Sequence, residues 1–152
     1  MATTESMSAA STLATLIEIC EDGREGFETA AGALEEPTIK RELMDFSRQR
    51  AEFVRQLQGG VAELGETPPT SGSISGTLHR GWINLRSIVS TRDNHAVLTE
   101  CERGEDVAVA AYQAAMKTDL PSEFSGIVGS QFAAVRQTHD RVKFLRDSHK
   151  KS

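Results

Sequence analysis

The strongest constraint on the fold is a spacing of apolar residues by three and four positions that recurs in four long segments. This spacing places apolar side chains on one face of an α-helix. The segments span residues 13–34, 39–64, 97–115 and 124–145. The strict alternation of apolar and polar residues that is typical of β-strands does not occur in the sequence. An all-α protein is therefore predicted.

Residues that start and stop helices divide these segments. Pro37 suits the first turn of the second helix, and Gly65 suits a left-handed residue just after its end. The segment 65–76 is rich in Gly, Pro, Ser and Thr, which predicts an exposed connection. A short amphipathic stretch, 78–89, follows it and predicts an extra helix, and Asp93 can then cap the third long helix.

The order of these elements predicts two helical hairpins joined by a long crossover that contains the short extra helix. This connectivity is that of a ferritin-like four-helix bundle. We predict a disordered leader at residues 1–10, a single bundle domain at residues 11–147 and a polar tail at residues 148–152.

Charge and composition argue against several classes of protein. The chain has 17 basic and 22 acidic residues, a formal charge of −5, whereas binding to a nucleic acid backbone needs a basic surface. It has no apolar run of membrane-spanning length and no pattern of a signal peptide, so a cytoplasmic protein is predicted. Cys20 and Cys101 lie far apart in the sequence and are expected to be reduced thiols in the core.

A weak internal repeat relates the two predicted hairpins. Segments 20–23 and 101–104 share Cys, Glu and Gly at matching places, and segments 49–51 and 131–133 share Gln and Ala. A duplicated hairpin explains this pattern, and chance is the alternative because the identities are few.

Several short runs of sequence together carry a resemblance to a known family. They are Leu16-Ile17-Glu18 with Glu21-Asp22-Gly23 and Gly26-Phe27, Leu78-His79-Arg80-Gly81-Trp82, Glu102-Arg103-Gly104-Glu105-Asp106 with Tyr112, and His139-Asp140-Arg141. Over residues 12–147 the chain resembles the PA2169-type four-helix-bundle proteins, a DUF2383-like bacterial family placed among ferritin-like folds. The resemblance implies a fold and a bacterial origin, and it suggests a role in stress physiology, but it implies no established activity.

A ferritin-like di-iron site uses a Glu from each of two helices and Glu-x-x-His from each of the other two. No Glu in this sequence has a His three positions later. A reduced iron or manganese site would have to use Glu21, Glu52, Glu105 and His139. The alternative is that these acids lie on solvated helix flanks and bind no metal, and that His139 is a hydrogen-bonded boundary residue.

Arg50 occupies a position in the second helix where the periodicity predicts an apolar residue. A buried arginine needs a carboxylate partner, because an unpaired buried charge is very costly. Glu105 or Glu21 would be that partner, and the pair would then take the place of a lost metal. The alternative is that the stem of Arg50 covers apolar surface while its head reaches water.

Two functional hypotheses follow. The first is a non-enzymatic bundle without a cofactor that acts as a homo-oligomer or binds a protein partner. The second is a metal-binding oxidoreductase or metal-storage bundle. No phosphate-binding Gly-rich loop, nucleophile motif or dinucleotide fingerprint occurs in the sequence, so hydrolases and transferases are not predicted. The missing Glu-x-x-His pair favours the first hypothesis.

Overall fold

A computed structural model describes residues 4–67 and 82–149 of the chain. These residues form five helices and no strand, which confirms the predicted all-α bundle. The helices are α1 (Thr4–Ala33), α2 (Pro37–Glu63), α3 (Leu85–Val89), α4 (Asn94–Met116) and α5 (Ser122–Ser148). None of them is long and apolar enough to cross a lipid bilayer.

The helix ends follow local chemistry. Pro37 opens α2, and Glu36 before it is extended, as expected for a residue that precedes proline. Gly65 follows α2 with a φ of 80°, which glycine adopts without steric cost, and its amide donates to the carbonyl of Ala62 at 3.0 Å. Asp93 caps α4 by accepting a hydrogen bond from the backbone amide of Ala96 at 3.1 Å.

The first helix begins earlier than the sequence suggested. It starts at Thr4, so residues 4–10 of the predicted leader are helical. Ala9 and Ala10 are buried. These two alanines extend the apolar face of α1 by more than a turn. Alanine is only weakly apolar, so the sequence pattern did not reveal this extension.

The directions of the long helices follow from residues that meet at each end of the bundle. At one end, Gly60 near the end of α2 lies against Leu13 and Phe124, which are near the starts of α1 and α5. At the other end, Arg92 just before α4 pairs with Glu35 just after α1, at 3.5 Å. Helices α2 and α4 therefore run the same way, opposite to α1 and α5, and the chain between them returns along the bundle.

Three of the four seams between long helices are well packed, and the fourth is joined mainly by polar side chains. Helix α1 packs against α2 and α4, and α4 packs against α5, whereas α2 and α5 are in least contact. Gln56 and Gln131 bridge this fourth seam at 2.9 Å, and Gln49 and Thr138 do so at 3.4 Å. An ion pair between Glu42 and Arg141 also crosses it.

The apolar core consists of two clusters with a polar level between them. In α1, the buried apolar residues from Leu13 to Cys20 belong to one cluster, and those from Phe27 onward belong to the other. In α4 the same division falls between Cys101 and Ala108. The two cysteines thus lie in different clusters, and Arg50 and Glu105 occupy the level that separates the clusters.

Candidate functional site

Arg50 lies in the middle of α2 with none of its surface exposed. Gly23 of α1 leaves room for it, because a Cβ atom at that position would lie 2.9 Å from Arg50 Nη1. The guanidinium also faces the ring of Phe27, with its Cζ 5.5 Å from the ring centroid. The side chain therefore stays inside the bundle and does not extend to solvent.

The partner of Arg50 is Glu105 of α4, which is also fully buried. Arg50 Nη1 donates to Glu105 Oε1 at 2.8 Å, and Nη2 donates to Oε2 at 2.5 Å, so the pair is bidentate. Burial alone would lower the pKa of Arg50, but the charge and hydrogen bonds of Glu105 raise it above its ordinary value. The centre of the bundle thus holds a closed pair of opposite charges.

A chain of hydrogen bonds beside this pair connects all four long helices. Tyr112 donates to Gln131 Oε1 at 2.7 Å, and Gln131 Nε2 donates to Gln56 at 2.9 Å. Cys20 Sγ lies 3.1 Å from the Tyr112 hydroxyl oxygen. Because the Tyr112 proton is engaged by Gln131, the thiol of Cys20 is the donor in that contact. The chain satisfies buried polar groups that would otherwise destabilise the core.

Both thiols are expected to be unreactive in the native protein. Burial raises the pKa of Cys20 to about 11, although the positive charge of Arg50 opposes the shift, and burial also raises the pKa of Cys101 well above its usual range. Since only the thiolate is a good nucleophile, a thiol-specific reagent should modify neither cysteine before unfolding and both afterwards. Rapid stoichiometric modification of either residue in folded protein would contradict this placement.

The four residues predicted to hold a metal do not converge. Glu52 is exposed and pairs with Arg55 of its own helix, and Glu21 pairs with Arg24 at 3.2 Å. Glu52 lies about 200° around α2 from Arg50, because each residue turns a helix by about 100°, so it cannot face the centre together with it. His139 lies on the α4–α5 surface beside Asp106. Among the described residues, the structure therefore does not bring Glu21, Glu52, Glu105 and His139 together as one cluster.

Trp82 is the first residue that the structure describes after residue 67. Its ring lies between α1 and α4, where it contacts one glycine of each helix. A Cβ atom added at Gly26 would lie 2.3 Å from the indole, and one added at Gly104 would lie 2.2 Å from it. A larger residue at either position would therefore overlap the ring. The indole also meets Phe27 edge to face, with ring centroids 5.1 Å apart. The preceding residues of the predicted motif, 78–81, lie outside the described part of the chain.

Sequence reasoning missed a buried acid that fixes the same crossover. Glu100 of α4 is 1% exposed, and its Oε2 accepts a hydrogen bond from the backbone amide of Asn84 at 2.7 Å. Its other oxygen accepts one from Arg103 at 3.0 Å. The position of Glu100 next to the apolar stripe at Cys101 could have indicated that it is buried. An acidic residue beside such a stripe, however, more often lies on the solvated flank of its helix.

Comparison with known proteins places this chain in a family. A family model described as a domain of unknown function (DUF2383) matches residues 8–118. The chain belongs to this family. The DUF2383-like resemblance seen in the sequence is thereby confirmed. The match covers most of α1 and all of α2 to α4, with both Arg50 and Glu105, while α5 lies beyond it. No curated protein matches the chain.

Proposed function

We propose that this DUF2383 protein is a non-enzymatic helical bundle that acts through its outer surface, as a homo-oligomer formed by the α2–α5 face. The observation that carries the proposal is the buried Arg50–Glu105 pair. In metal-dependent bundles, inward carboxylates and histidines leave coordination positions open at the centre. Here the inward carboxylate is engaged at both oxygens by a guanidinium, a geometry consistent with a ferritin-like scaffold whose metal charge has been replaced by arginine.

The α2–α5 face carries a feature suited to an interface. Phe144 is 59% exposed, and the guanidinium of Arg141 lies 5.2 Å from its ring centroid. Arg141 is itself held by Glu42 through hydrogen bonds of 2.7 and 2.6 Å. Aromatic and arginine side chains dominate the binding energy of many interfaces, and they lose less entropy on binding when they are already ordered.

A second copy of the chain is the occupant that this face fits best. The patch of Glu42, Arg141 and Phe144 contains an acid, a base and an aromatic ring within one small area. Two copies related by a two-fold axis bring the same patch together with itself, so a patch that contains both charges and an apolar centre is self-complementary. Because the patch carries both signs of charge, it is not electrostatically complementary to a strongly acidic or strongly basic partner.

The mass of the tag-free protein in solution tests the proposal. Light scattering coupled to gel filtration should give a dimer or larger species for the wild type and a monomer for Phe144→Ser. Met116→Ser is the matched control, because Met116 is also exposed, at 46%, but lies at the far end of α4. A wild type that is monomeric at all concentrations, or a Phe144→Ser protein that keeps its assembly, would overturn the proposal.

A further inference from the structure

We infer that the α4–α5 surface binds one divalent transition-metal ion through Glu102, Asp106 and His139. Their ligand atoms all lie within 4.8 Å of one another, and no other trio of His, Cys, Asp or Glu side chains in residues 9–67 and 82–149 gathers in this way. Glu102 and Asp106 are four residues apart and share one face of α4, while His139 approaches from α5. This site is separate from the central charge pair and from the patch around Phe144.

His139 is oriented as a metal-binding histidine usually is. Its Nδ1 lies 3.1 Å from Asp140 Oδ1, and its Nε2 lies 2.7 Å from Asp106 Oδ1. In metal sites, a carboxylate on the second ring nitrogen fixes the tautomer and aims the first nitrogen at the ion. Asp140 supplies that carboxylate, so Nε2 is directed toward the two α4 acids, and only 19% of the His139 side chain is exposed.

Glu102 forms the inner wall of the site, with 14% of its side chain exposed. Its buried Oε2 forms an ion pair with the guanidinium of Arg146. Arg146 also donates two hydrogen bonds to Asp147 Oδ1, at 3.0 and 2.7 Å. Arg146 therefore keeps a carboxylate partner when a metal ion draws Glu102 away from it.

The donor set indicates the class of ion. One imidazole nitrogen with two carboxylate oxygens suits borderline cations such as Zn²⁺, Mn²⁺, Fe²⁺ and Co²⁺. Mg²⁺ and Ca²⁺ instead prefer sites made of oxygen atoms alone. Because three protein ligands at a surface leave the remaining positions to water, the site resembles an open site more than a closed structural one.

Calorimetric titration of tag-free, chelator-treated protein with ZnCl2, MnCl2 and MgCl2 tests this inference, at about pH 8, where a histidine side chain is mostly neutral. We expect one Zn²⁺ or Mn²⁺ per chain, and binding about tenfold or more weaker in His139→Gln and in Asp106→Asn. Asp140→Asn should weaken binding less than either. The Co²⁺ form should show a visible absorption spectrum that is lost in His139→Gln.

Glu36→Gln is the matched control, because Glu36 and His149 form a second surface pair, at 3.7 Å. It should bind metal as the wild type does. Equal affinity in the wild type and His139→Gln would overturn the inference, as would Mg²⁺ binding as tight as Zn²⁺ binding. Repeating the titration with Phe144→Ser separates this result from the oligomer proposal, because that variant should keep the metal site.

Discussion

Glu105→Gln is expected to lower the free energy of unfolding by about 3–5 kcal/mol. The substitution keeps the size of the side chain but leaves the guanidinium of Arg50 buried without a negative partner. Chemical denaturation followed by circular dichroism measures the change. A loss below about 1 kcal/mol, the usual value of an exposed ion pair, would mean that the pair is hydrated in solution.

Two further variants show whether the stability lost in Glu105→Gln comes from the broken charge pair or from any substitution in these helices. The double variant Arg50→Met/Glu105→Leu removes both charges at similar volume, so it should recover most of the stability that Glu105→Gln loses. Glu52→Gln disrupts the exposed pair with Arg55 on the same helix and should cost no more than about 1 kcal/mol. A double variant that is less stable than Glu105→Gln would contradict the pairing argument.

Gly104→Ala is expected to destabilise the protein by about 1–3 kcal/mol and to move Trp82 toward solvent. The added methyl group would lie 2.2 Å from the indole, so the ring must leave its place between α1 and α4. Trp82 is the single tryptophan of the chain, so its fluorescence emission reports this movement directly. We expect a shift of the emission maximum to longer wavelength in the folded variant.

Another helical glycine supplies the control for this change. A methyl group added at Gly59 of α2 would meet nothing within 4 Å, so Gly59→Ala should stabilise the helix by up to about 1 kcal/mol. In a Trp82→Ala background the overlap at Gly104 disappears, and Gly104→Ala should then cost little. An unchanged emission maximum in Gly104→Ala would contradict the close approach of Trp82.

The sequence was sufficient to predict the helices and the way the chain connects them. Periodic apolar residues define four long helices, and Pro37, Gly65 and Asp93 act locally, so their effects can be read without the tertiary structure. The sequence also predicted that Arg50, if buried, would pair with an acidic residue. The choice between Glu105 and Glu21 could not be made, because each lies beside a similar apolar stripe on its own helix.

Polar contacts between different elements were harder to predict. The bond from Glu100 to the backbone of Asn84, and the chain from Cys20 through Tyr112 to Gln131, depend on how one helix is rotated and shifted against another. Apolar spacing fixes the inward face of a helix but not its height relative to its neighbours. The predicted metal ligands do not meet for the same reason, since Glu52 and His139 were grouped without knowledge of the seam that each one faces.

The most direct test of a closed bundle centre is the iron content of tag-free His139→Gln protein after exposure to Fe(II) in air. We predict no iron above background, because this variant lacks the surface imidazole and because Arg50 engages both oxygens of Glu105 at the centre. Iron retained at one or more atoms per chain, and lost when Arg50→Met/Glu105→Leu is added to the His139→Gln protein, would contradict a closed centre and would support a metal-dependent bundle.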